Sequence, residues 1–244
     1  MAIALVGSIA AHVHVTTTSG TPTLGQATTA GNLLISWVTD NAASANQVTT
    51  AATGWTLVGT GSFFTGVGNT YVFYRPNCGA GEAAPTFTLT GNTDGNISIA
   101  EFSGAATVSP VDASGVASGG PGGSPLTNNA TTVDGQVGDL IVTSDIAAWS
   151  TSAARTTTAT YNNGATAILA SSQSGSAARF YEFAYGFTTG NSVADQDSYA
   201  VSVTTGMIGL MSMLASFKPA GAGPAFIAPK GSMADQALQR ATTW

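Results

Sequence analysis

Val137-Gly138-Asp139-Leu140-Ile141-Val142-Thr143-Ser144-Asp145-Ile146-Ala147-Ala148-Trp149 decides the fold, because the chain carries the same pattern earlier as Ala30-Gly31-Asn32-Leu33-Leu34-Ile35-Ser36-Trp37-Val38-Thr39-Asp40. Each copy places a small residue and a glycine before a short amide or acid. A leucine and β-branched run follows and fades into polar residues. Asn32 and Asp139 are 107 residues apart (139 − 32). After the first copy come strand-like runs at 53–58, 70–75, 86–90 and 97–104; after the second they come at 165–169, 179–185, 199–203 and 207–217. Short alternating runs between turn signals, repeated at this period, predict a duplicated all-β half.

Composition bounds what such a chain does. Its 244 residues are enough to bury a sizeable core as one large β-unit. Charged residues make up 7% against a 43% hydrophobic share, where an ordinary domain carries about 25% charged residues. The surface is therefore made of hydroxyls, amides and small side chains, and charge repulsion does little to keep it from its neighbours. That suits life in an assembly, or contact with sugars. The net charge is −6 and the six basic residues are scattered, so neither a nucleic-acid partner nor an anionic membrane surface is expected. The apolar start at 2–6 lacks a basic leader and is too short to span a bilayer; it reads as a first strand. One cysteine, Cys78, leaves no internal disulfide.

Between 105 and 129 the chain turns rich in Gly, Ser and Pro. This reads as an irregular connection between halves at roughly 20–105 and 130–219. The expected architecture is an antiparallel β-sandwich over 1–220, followed by a C-terminal linker and arm at 221–244.

The segments AGNLLISWV, GWTLVG, YVFYR, PTFTLTG, ISIAEFSGA, SPVDASG, VGDLIVTSDIA and LMSMLASFKPA, in that order, resemble a jelly-roll-like β-sandwich module of tailed-phage virion proteins, often labelled minor tail proteins, and of some bacterial surface proteins. The resemblance covers roughly residues 20–220. It implies a bacteriophage structural protein: a minor tail or capsid decoration subunit, made in the host cytoplasm and carried in the virion. Its implied partners are other capsid or tail subunits, with homo-oligomer formation or assembly in a particle. The alternative it implies is a glycan-binding module for host-surface attachment. The chain departs from longer relatives of that kind by being nearly all module.

The last stretch supplies the contacts such a role needs. Ala220-Gly221-Ala222-Gly223-Pro224-Ala225 has linker composition, and Ser232-Met233-Ala234-Asp235 has the form of a capping box opening a short helix. Phe226, Ile227, Leu238 and Trp244 are the expected partner-binding anchors of the arm. A tail folded back on its own strands is the competing reading.

Candidate chemistry is sparse, and no enzyme activity, cofactor or metal is expected. His12 and His14 alternate onto one strand face, half of a metal site. With no third histidine, two polar residues on a solvent face account for them. No Gly-x-Ser-x-Gly elbow accompanies them. Glu101 and Glu182 each sit in an otherwise apolar strand and are the pair to test for glycoside hydrolysis. Asp94, Asp195 and Asp197 lie in turn-like loops, where calcium ligation and ordinary turn chemistry both use them. Tyr181, Phe183 and Tyr185 share one strand face with Arg179. Arg179, Tyr181 and Tyr185 are the candidate glycan contacts, by stacking on pyranose faces. Since each strand must bury one face, packing into the core is the stronger reading of the aromatic stripe.

Overall fold

The computed structural model describes residues 2–7, 13–41, 48–50, 52–63, 68–91, 94–119, 126–129, 138–150, 159–161, 166–174, 180–189, 196–201 and 207–221. Among them the chain is all-β, with antiparallel pairing throughout and no helix. The short helix expected after Ser232 lies outside the described residues, as does the arm beyond Gly221.

The first nine strands are β1 (Ala4–Leu5), β2 (Val13–Val15), β3 (Ser19–Gly20), β4 (Leu33–Asp40), β5 (Val48–Thr50), β6 (Thr56–Phe63), β7 (Gly68–Arg75), β8 (Phe87–Leu89) and β9 (Gly95–Ser103). They form a large sheet in the order β1-β9-β4-β7-β6, with β2 also on β9, and a small sheet β3-β8-β5. The next eight are β10 (Val111–Gly119), β11 (Leu126–Asn129), β12 (Leu140–Trp149), β13 (Ala159–Tyr161), β14 (Thr166–Ser174), β15 (Phe180–Thr189), β16 (Gln196–Val201) and β17 (Met207–Phe217). These repeat the plan: a large sheet β10-β17-β12-β15-β14 and a small sheet β11-β16-β13. The two quoted stretches are β4 and β12, each the centre of its large sheet.

The equivalence holds residue by residue. Leu33 pairs with Phe102 as Leu140 pairs with Phe217, and Ile35 pairs with Tyr74 as Val142 pairs with Phe187. Strand alternation then sorts side chains onto two faces. Leu33, Ile35, Trp37, Val72, Ala100 and Phe102 form one core with Leu140, Val142, Tyr185, Met213, Ala215 and Phe217. The two large sheets therefore face each other, and the main core lies between the halves. On the opposite face of the first large sheet, Val38, Tyr71, Phe73 and Ile97 pack on Val48, Phe87 and Leu89 of the small sheet. β4 and β12 are buried on both faces along their whole length, which is why each reads as a near-continuous apolar run.

One expectation fails here. The stretch read as an irregular connection contains two strands, and nine-residue β10 pairs with β17 along its length. Its small residues carry little intrinsic strand signal, but tertiary pairing outweighs propensity in sheets. The same smallness lets the first half come close. A Cβ at Gly61 on β6 would sit 2.7 Å from the Met211 sulfur and 3.0 Å from Val116 on β10.

Candidate functional site

A polar row crosses the first large sheet on the face turned to the second half. By register it runs His14, Asn96, Thr39, Thr70 from β2 through β9 and β4 to β7. The second half meets it with Tyr185 and Ser144, themselves a register pair on β15 and β12. The Tyr185 hydroxyl donates to the Asn96 carbonyl at 3.1 Å and shares a hydrogen bond with the Thr39 hydroxyl at 3.1 Å. Thr70 and Ser144 hydroxyls bond across the same seam. Trp37 lies over Tyr185 with centroids 6.1 Å apart and planes at 27°. Burial raises the Tyr185 hydroxyl pKa far above the ordinary tyrosine value, so it remains a neutral donor.

The row reaches the surface at His14. Its Nε2 sits 2.5 Å from the buried Asp94 Oδ1, and the Asn41 side chain accepts the Asp94 backbone N–H at 3.1 Å. Desolvation pushes the Asp94 carboxyl above the usual aspartate range, while the hydrogen bond and charge of His14 pull it down. His12 lies outside the described residues. Among the described residues no group of three or more His, Cys, Asp or Glu side chains is placed to hold a metal.

At the far end of the same sheet Glu101 ties loops together. Its Oε1 accepts the Thr29 N–H at 2.8 Å and the Asn32 amide at 2.6 Å. Beside it the Cys78 thiol donates to the Thr29 carbonyl, and burial, with the charges of Glu101 and Glu82, pushes its pKa up. Arg75 and Glu82 pair at the rim. Glu101 sits on the strand face shared with Ile97, which packs on the small sheet. Position 182 pairs with Ala147, on the parity opposite Val142 and Ser144. The two positions thus lie on different large sheets.

Of the glycan candidates, only Tyr185 has a described side chain. Tyr185 is wholly buried between the halves, so no sugar reaches its ring; the core reading of the stripe describes it. Arg179 lies outside the described residues, and of Tyr181 only the strand position is described, opposite Ala148 on β12. Asp195 lies outside them too, and position 197 pairs with Asn128. The anchors Phe226, Ile227, Leu238 and Trp244 also fall outside. What is described is the chain just before the segment expected to form the arm. Lys218 donates its backbone N–H to Pro110 and accepts from Ala106, Ala220 donates to Gly104, and the Lys218 ammonium pairs with Asp112 at 3.7 Å. These bonds fix residues 218–220 against 104–112, at the start of the second half.

Sequence reading missed the seam. Its available signal was the polar pair Asn96 and Ser98, which alternates with Ile97 and Ile99 on a strand that could afford no solvent face. No protein-family model, curated protein or solved structure matches the chain. Among the described residues no helix is long and apolar enough to cross a membrane.

Proposed function

We propose that the chain is a structural subunit of a bacteriophage particle, a minor tail or capsid decoration protein that works through protein–protein contacts. The observation that carries this reading is the strand order. Numbering the eight principal strands of either half from one, the large sheet runs 1-8-3-6-5 and the small sheet 2-7-4. First and last strands neighbour each other, as do third and sixth, and second and seventh. That interleaving supports reading each half as a jelly-roll-like sandwich, an architecture used by viral capsid proteins and lectins. Two such units fused back to back, with a surface nearly free of charge, suit close packing among neighbours.

The segment 221–244 is the arm of this subunit, carrying Phe226, Ile227, Leu238 and Trp244 onto a neighbour. Its clamped root supports that reading, because a fixed departure point limits the volume the anchors search and so limits the ordering cost of docking. Sedimentation of the full chain beside a chain ending at Gly221 tests it. The full chain associates and the shortened one does not. Within the full chain, Trp244→Ala weakens association by about 2 kcal/mol, roughly 30-fold, the loss typical of an aromatic anchor. Equal behaviour of all three proteins would overturn the arm.

A further inference from the structure

We infer that the seam between the halves holds a built site for ordered water, lined by Trp37, Asn96 and Ser98. All three side chains are buried, none more than 1% exposed. The Trp37 indole nitrogen, both atoms of the Asn96 side-chain amide and the Ser98 hydroxyl have no protein hydrogen-bond partner. They are neighbours by register. Trp37 pairs directly with Ser98, and Asn96 lies two positions along β9 on the same face. Directly opposed residues hold their Cβ atoms about 4.5–5.5 Å apart and diagonal ones about 7–8 Å, spans that a bridging molecule closes.

The donor and acceptor inventory fits water rather than an ion. The indole N–H and the amide NH2 donate; the amide oxygen and the serine hydroxyl accept. Water offers two of each and takes two to four partners in buried sites. The ionisable neighbour in the row, His14, opposes Asn96 on β2 and is paired with Asp94; Thr39 and Tyr185, the other adjoining groups, are neutral and bonded to each other. Leaving four polar atoms buried without partners is costly, and the rings that close over them, Tyr185 on Trp37, keep bulk solvent out. The two halves are accordingly joined by a dry contact near Phe102 and Phe217 and by a hydrated one around Asn96.

A crystal structure of the full chain, at a resolution that places solvent, tests this. The expected result is an ordered water about 2.7–3.2 Å from the Trp37 Nε1 that also bonds Asn96 or Ser98. Side chains rotated onto protein partners, or an empty dry seam, would overturn it. In solution the same water gives a nuclear Overhauser contact from solvent to the Trp37 indole proton, assigned through Trp37→Phe. That contact is weakened in Ser98→Ala, which removes one partner while preserving shape; an undiminished contact in that variant also contradicts the site.

Discussion

Phe102 meets Phe187 edge-on across the seam with ring centroids 5.4 Å apart. Their counterparts by register, Phe217 and Tyr74, meet the same way at 5.7 Å. Each half thus offers one ring from its β9 or β17 position and receives it on its β7 or β15 position. This is the reciprocal contact of a two-fold interface, here within one chain. Phe102→Ala should cost about 3–5 kcal/mol, the usual loss for a buried aromatic ring. In a double-mutant cycle with Phe187→Ala, denaturant unfolding should report a coupling of about 0.5–1.5 kcal/mol. Simple additivity would show that the rings do not act as a pair.

Tyr185 is a fastener of the seam. Tyr185→Phe keeps the ring on Trp37 and removes the hydroxyl that serves Thr39 and the Asn96 carbonyl. Leaving such buried groups unserved should cost about 1–3 kcal/mol, read as a lower urea midpoint with an unchanged slope. A neutral effect would mean the hydroxyl is dispensable.

The duplication was legible because β4 and β12 are buried on both faces, so their sequences had no freedom to drift into polar alternation. β10 was not legible. Val111, Asp112 and the Ala-Ser-Gly run that follows resemble a linker, and only the partner strand β17 makes them a strand. Tyr185 was legible as one of a stripe, but its sequence neighbours could not say whether the stripe faced sugar or a second sheet. Glu101 reads as a catalytic candidate from its apolar strand; its duty to Thr29 and Asn32 depends on loops about 70 residues away in sequence.

Two glycines separate backbone strain from crowding. Gly31 and Gly104 both have positive φ, +90° and +80°, but a Cβ at Gly31 meets open space while one at Gly104 runs into the Ala2 carbonyl. Gly31→Ala should cost about 1–2 kcal/mol, the left-handed penalty alone. Gly104→Ala should cost distinctly more and expose the first strand to proteolysis. Equal losses in thermal unfolding would contradict the close approach of Ala2 to Gly104.

Asp94 should give the stability a pH dependence whose sign follows from its burial. Burial holds its folded pKa above the ordinary value of 3.8, so the folded state binds this proton more tightly than the unfolded chain. The contribution to stability is therefore present at low pH and lost as pH rises through the raised folded value. In a His14→Gln background, which removes the imidazole from the titration, the chain with Asp94 should gain stability relative to Asp94→Asn as pH falls towards 4. The opposite slope would mean that Asp94 is stabilised as the carboxylate.

The proposal that this chain is built into a phage particle is tested most directly by mass spectrometry of density-purified particles from a phage-infected culture that produces the chain. The chain should band with the particles, stay with them through washing, and be recovered at a fixed ratio to the other structural subunits. Recovery solely in the soluble fraction, with none banding at particle density, would contradict it.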